Sequence, residues 1–292
     1  MGCKCQGNPR ANSHEFVEPN IPSGARRIFD FPLPDYLSTS DLKSPGRHDS
    51  PDTQKDYEVT DYATFQLYDG TIYQGTWENG KRNGRGRQVW PNKTFYEGEW
   101  KDDLPHGHGK KIFPNGTVIE GRFAAGKANG ICSYKNKEGI RIQGTFNDDL
   151  PNGGCIVNYP DRSEYEGEMK GMKRSGFGKL TKPDGSVYEG EFKDDIKEGN
   201  GVLTSLDGRR YEGQWKNDKM HGLGRHTWSD GSVYKGGYAD DLKHGEGEFS
   251  WPDGRIFKGT WVNGKREGPG VLIKNGAEKK GLWQNDERVQ WL

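Results

Sequence analysis

The chain has 292 residues, of which 30% are hydrophobic, 12% are aromatic and 44 are glycine, so it lacks the apolar share, nearer half, that one or two thick-cored domains would need. Forty-three basic residues balance forty-three acidic ones, and without a net field to gather a polyanion, nucleic acid is a poor partner. No apolar run approaches the roughly 18 residues of a membrane helix, and the first residues lack the apolar stretch of a secretory signal. The expectation is a cytosolic chain in which the sequons at Asn92 and Asn115 stay bare.

Residues 1–60 contain no repeat, seven of the fifteen prolines and several polar runs, a composition expected to stay disordered. Met1-Gly2-Cys3-Lys4-Cys5 resembles a dual acylation signal, with Gly2 as myristoyl acceptor after methionine removal and Cys3 and Cys5 as palmitoyl acceptors. Gln6 stands where that motif prefers Ser or Thr. A single myristoyl chain holds a membrane only marginally, so the cysteines would supply the second signal. A coil of about 55 residues then spans on the order of 40 Å between anchor and repeats. Arg26 to Leu37 is the aromatic-rich part of the tail, expected either to dock on the groove or to serve as a partner's linear motif. Ser44-Pro45 and Ser50-Pro51 are candidates for proline-directed phosphorylation.

From residue 61 onward a 23-residue period takes over. The pattern aromatic-x-Gly-x-aromatic is centred on Gly75, Gly98, Gly121, Gly144, Gly167, Gly190, Gly213, Gly236 and Gly259, with a degenerate last copy at Gly281. A second column, usually Gly-x-Gly, starts at Gly84 and recurs to Gly268, and a third is a turn dipeptide such as Asp230-Gly231. In Tyr73-Gln74-Gly75-Thr76-Trp77, alternation puts Tyr73 and Trp77 on one face beside a bare glycine, so that neighbouring rings can lie across the backbone. Asp-Gly between such strands is a hairpin signal, and each period reads as one hairpin. Hairpins are marginal alone and must stack. The predicted fold is therefore all-β, an elongated single twisted antiparallel sheet of about ten stacked hairpins over residues 61–292. The candidate binding groove is its aromatic face: Tyr73, Trp77, Tyr96, Trp100, Tyr188, Phe192, Tyr211, Trp215, Phe257 and Trp261.

Runs such as Tyr96-Glu97-Gly98-Glu99-Trp100 followed by Gly107-His108-Gly109 resemble the MORN (membrane occupation and recognition nexus) repeat family over residues 61–292. The resemblance implies an elongated twisted β-sheet with an aromatic groove, in proteins that act as scaffolds or tethers at membranes, cell cortex and flagella, sometimes as homodimers. Some family members add a lipid-kinase or methyltransferase domain, for which this chain is expected to have no spare length.

Catalytic residues are unique whereas structural ones recur, so chemistry is sought where the period breaks. Ile119 and Ile142 replace Tyr, Met169 replaces Trp or Phe, Cys132 and Cys155 replace the second glycine of Gly-x-Gly, and Arg162 replaces a turn glycine. This stretch, 119–169, is either tolerated drift or a partner-binding or bent segment. Cys132 and Cys155 share a column about 9 to 10 Å apart, beyond disulfide reach, and read as reduced thiols. Gly75 to Lys81 and Gly259 to Lys265 imitate a P-loop, but Arg82 and Arg266 stand where Ser or Thr should hold magnesium, in a strand-turn-strand context. His106, His221 and His244 fill a slot elsewhere taken by Asn and read as turn-stabilising rather than as metal ligands.

Acidic turns (Asp102-Asp103, Asp148-Asp149, Asp194-Asp195, Asp240-Asp241) alternate along one edge with basic ones (Lys81-Arg82, Lys127, Lys173-Arg174, Lys219, Lys265-Arg266). Mutual neutralisation is the expected consequence, although a striped edge could also set register against a partner. No catalytic residue, metal or cofactor is expected. The functional expectation is a non-catalytic scaffold on the cytoplasmic face of the plasma or another membrane, held by its acylated terminus and binding proteins along the rod, with phosphoinositides as further candidate ligands. The alternative is a structural component of a cilium, flagellum or cortical cytoskeleton without lipid.

Overall fold

The computed structural model describes residues 25–28, 31, 32, 34 and 63–292. Among them, 22 strands numbered β1 to β22 in chain order form one open antiparallel sheet. Each strand pairs with the next in sequence. Substantial packing is confined to such neighbours, so the molecule grows in one dimension, on the order of 100 Å at ~4.8 Å per strand. The stacked-hairpin array anticipated from the period is the observed fold.

Two kinds of turn alternate. Between β3 (Ile72–Glu78) and β4 (Lys81–Val89), Asn79 and Gly80 both take positive φ, 51° and 76°. That is the I′ turn whose twist matches a tight hairpin. Asp102 and Asp103 do the same at 49° and 69°, a conformation that short polar side chains tolerate. Between β4 and β5 (Phe95–Lys101) the chain makes a five-residue turn closed by Trp90 N–H to Thr94 O, 2.9 Å. The Asp-Gly dipeptides expected to mark tight hairpins sit in this wider turn instead. Their carboxylate accepts the N–H two residues on, as Asp230 Oδ1 does from Ser232 at 2.8 Å, and the tight turns are made by pairs such as Asn79-Gly80, Asp102-Asp103 and Asn217-Asp218.

The two glycines of Gly-x-Gly have separate jobs. In the β3–β4 pair Gly75 opposes Gly86 and Trp77 opposes Arg82, so Thr76 alone faces Asn83, Gly84 and Arg85. This is a bulge, and Gly84 occupies it at φ +79°. The slot shared by Asn83 and His106 lies inside the strand at the bulge. It is the backbone carbonyl there that is used, by Thr76 Oγ1 and by Tyr96 Oη respectively. The histidines are therefore not turn-stabilising side chains. The second glycine lies under a tyrosine: a Cβ on Gly109 would come within 2.5 Å of Tyr96 Cζ and 2.6 Å of its Cε2. Laid flat, Tyr96 donates its hydroxyl to Glu99 O at 2.9 Å, and Tyr73, Tyr165, Tyr188 and Tyr211 repeat the bond three residues onward.

The core is consequently one ring deep. Tyr73 meets Trp77 edge-on at 5.1 Å and Trp100 of the next repeat at 5.3 Å; Tyr96 then meets Trp100 and Phe123 in the same manner. Each T-shaped pair contributes about 1 kcal/mol beyond area burial, and the chain of pairs links successive repeats.

Both ends depart from the period. Loss of one residue replaces the wide turn by a tight one at Asn275-Gly276, between β20 (Lys265–Lys274) and β21 (Ala277–Gln284). Trp291 of β22 (Glu287–Trp291) meets buried Trp283 edge-on at 6.3 Å and lies 5.5 Å from Lys279 Nζ. At the other end β1 (Arg26–Ile28), inside the stretch read as a tail, pairs with β2 (Thr64–Gln66). Phe31 packs on Phe95 at 6.4 Å beneath the Arg87 guanidinium, 4.6 Å from its ring. Phe95 alternates with Tyr96, so this segment docks on the face opposite the groove aromatics.

Candidate binding surface

The ten groove residues form the floor of one face. Nine are buried, from Tyr73, Tyr96 and Phe257 at 0% to Trp215 and Phe192 at 4% exposure, and Trp77 is half-buried. Trp100 and Trp215 donate their indole N–H to Gly86 O (3.0 Å) and Gly201 O (3.1 Å), locking the rings in the plane of the sheet. Above the floor stands a row of cations: Arg82 4.9 Å from the Trp100 ring centre, Arg174 5.1 Å from Phe192, Lys197 4.5 Å from Trp215 and Lys243 4.2 Å from Trp261. Burial pulls the Lys197 and Lys243 ammonium pKa values down, opposed by Asp218 for the first and Asp286 for the second.

This row also stitches repeats together. Arg82 N–H donates to Asp103 Oδ1 at 2.9 Å while Asp103 N–H donates back to Arg82 O at 3.1 Å. The reciprocal clamp recurs for Ala128 and Asp149, Arg174 and Asp195, Lys197 and Asp218, Met220 and Asp241, and Arg266 and Asp286. Where the strand offers Pro105 or Pro151, which have no N–H, the facing turn residue is Gly126 or Met172 instead of Asp. Lys243, facing Gly264, is the exception. Beside the clamps, the striped edge closes on itself through Lys81–Asp102 (3.2 Å), Lys127–Asp148 (3.3 Å) and Lys173–Asp194 (3.7 Å). These side chains are more than half exposed, so such pairs add little. Asp195→Ala, which removes a clamp and the 3.1 Å ion pair to Arg174, is expected to cost about 1 to 2 kcal/mol in urea unfolding. Asp194→Ala should cost under about 0.5 kcal/mol.

Seven segments, 73–95, 96–118, 165–187, 188–208, 211–233, 234–254 and 257–277, match the MORN repeat model. The chain belongs to the MORN repeat family. No curated protein matches it. Among solved structures it is similar to the TCP domain of Drosophila melanogaster SAS-4 in complex with a proline-rich motif of Ana2 (13% identity, 61% of this chain and 85% of that one, TM-score 0.32). It is also similar to the TCP10 domain of Danio rerio CPAP with a STIL peptide (12% identity, 79% and 93%, TM-score 0.35). Virginiamycin B lyase from Staphylococcus aureus follows at 15% identity, 76% and 88% coverage and TM-score 0.14.

The MORN match skips 119–164, where tyrosine and glycine give way to isoleucine and cysteine. The sheet continues through this gap because the two changes compensate. Ile119 and Cys132 share one repeat, and Cys132 Sγ donates to Arg122 O at 3.3 Å, the carbonyl three residues past Ile119 that a tyrosine hydroxyl would have reached. Ile142 and Cys155 repeat the exchange, with Cys155 Sγ 3.8 Å from Thr145 O. Both thiols are buried and free, and burial raises their pKa values.

Apart from Trp77, the aromatics that reach solvent on the MORN face were not among the ten. Trp90, Phe113, Trp228 and Trp251 open the wide turns and are half-buried. Their signal was an aromatic two residues ahead of the turn Asp or Asn. At Trp228 the His226 ring stacks at 4.2 Å, and burial, with Arg209 and Lys243, pulls the imidazole pKa down. Nearby a cavity of about 290 Å³ is lined by Lys197, Leu203, Tyr211, Trp215, Met220 and His226. Gly2, Cys3, Cys5, Ser44 and Ser50 lie outside the described residues.

Proposed function

We propose that this MORN protein is a non-catalytic scaffold that captures protein partners along its rod and is tethered to the cytoplasmic face of a membrane by acylation at Gly2, Cys3 and Cys5. Seven family repeats in an unbroken sheet support the scaffold, and the Met1-Gly2-Cys3-Lys4-Cys5 start supports the tether. On this reading Tyr73, Trp77, Tyr96, Trp100, Tyr188, Phe192, Tyr211, Trp215, Phe257 and Trp261 act as a rigid floor. The wide-turn aromatics and the overlying cations make the contacts, phosphoinositide head groups included. The row of ring-bound cations is the observation that carries it. A second reading, a lipid-free structural component of a cilium, flagellum or cell cortex, uses the same surface without the anchor. Metabolic labelling with a myristate analogue separates the two. Wild type should label and fractionate with membranes, and Gly2→Ala should lose both; an unlabelled wild type with unchanged distribution of Gly2→Ala removes the anchor and leaves the second reading.

A further inference from the structure

The face opposite the aromatics is largely polar but carries a row of exposed apolar side chains. The middle residue of Gly-x-Gly points there, and at alternate repeats it is Ile131, Phe177 and Leu223, exposed by 68%, 62% and 70%. Between the first two, the same position holds Gly154, where an added Cβ would meet nothing within 4 Å. The missing side chain opens a shallow cavity of about 520 Å³, floored by Gly144 and Gly167 and walled by Ile156, Phe177, Glu166 and Glu168. Its surroundings are acidic. Glu164, Glu166 and Glu168 of β11 (Glu164–Lys170) and Glu189 and Glu191 of β13 (Val187–Lys193) alternate onto this face. Lys179, which lies across from Glu166, bridges to Glu189 at 3.5 Å. An apolar slot with two carboxylates along one wall disfavours both an anionic lipid surface and an acidic peptide, and complements a cation beside a hydrophobe.

We propose that this cavity docks a basic amphipathic segment of a protein partner. One large apolar side chain enters between Ile131 and Phe177, and Lys or Arg on either side meets Glu166 and Glu168. The assignment rests on the scaffold reading and names which kind of partner this face selects.

Selection of a random dodecapeptide display library on the full-length protein tests it. The enriched peptides should share one large apolar residue flanked by at least two Lys or Arg. Gly154→Arg should weaken their binding at least tenfold; the sheet accommodates arginine there, since Arg85 holds the same place opposite Glu99 that Gly154 holds opposite Glu168. Glu166→Gln with Glu168→Gln should weaken binding several-fold and flatten its salt dependence. Gln214 occupies the site of Glu168 two repeats on and still accepts the Leu223 N–H at 2.9 Å, so the fold is kept. No enrichment, enrichment without basic residues, or a dimer in solution scattering that Gly154→Arg dissolves would each overturn the proposal. Peptides that bind Gly154→Arg as tightly as wild type overturn this site while leaving the scaffold standing, and the labelling experiment judges the anchor independently.

Discussion

Gly109→Cys is expected to destabilise the array by about 3 kcal/mol, and Tyr96→Ile placed in the same chain is expected to recover most of that loss. A Cβ on Gly109 would fall 2.5 Å from Tyr96 Cζ, with the sheet backbone behind and the ring unable to rise without breaking contacts to Trp100 and Phe123. Shortening the tyrosine removes the clash, and the thiol takes over the hydroxyl's carbonyl, as Cys132 does beside Ile119. Tyr96→Ile alone leaves an unfilled slot and should cost about 2 to 4 kcal/mol. The double-mutant cycle, measured by urea unfolding, should therefore show a coupling of several kcal/mol. Simple additivity of the two changes would show that the isoleucine and cysteine repeats are unrelated substitutions. Because each repeat is held only by its neighbours, the loss should first appear as local melting around 96–123 instead of one cooperative transition.

Raising the pH should unfold the sheet through its tyrosines. Burial pushes the Tyr211 phenol up to about 12, and Tyr96, Tyr165, Tyr188, Tyr234 and Tyr238 shift upward for the same reason. In the unfolded chain these groups ionise near pH 10. A raised folded pKa means that the native state holds its proton more tightly. The stabilisation is complete below about pH 10 and is lost as pH climbs toward 12, by up to about 1.4 kcal/mol per pH unit for each phenol. With six such groups the fall is steep. Tyrosinate absorbance at 295 nm should rise cooperatively above pH 10, together with loss of near-ultraviolet circular dichroism. A gradual titration centred at pH 10 with the dichroism intact would mean that the rings are reached by solvent without unfolding.

The period made the strands, their faces and the need for glycine beside each aromatic legible, because side-chain alternation has a strict repeat of two. Other features depend on pairing across strands and stayed hidden. The register of Gly75 with Gly86 creates a bulge that no single-strand pattern announces, and it moved the histidine slot from a turn into a strand. Ile119 and Cys132 were visible as separate departures thirteen residues apart, yet they become one exchange only when the bulge brings them together. Burial of nine of the ten aromatics followed from the same cause: glycine that lets a ring lie flat also lets its neighbours cover it. The amino-terminal segment was expected, if it docked, to dock on the groove, yet Phe31 lies beneath Arg87 on the opposite face, because the groove is already filled by its own rings and the sheet face that they leave uncovered is the one free to take it.

The uneven stitching between repeats gives the rod a mechanical grain. From Arg174 to Asp241 every seam carries the two-way clamp, so that stretch behaves as a single stiff plank. The seams at Pro105 and Pro151 lack the carboxylate half of the clamp, and the first keeps only Gly126 N–H to Pro105 O at 3.0 Å. Tension along the array would open it first at those two lines and at the Lys243 seam, which likewise keeps only Gly264 N–H to Lys243 O at 2.8 Å, while the plank between them stays whole.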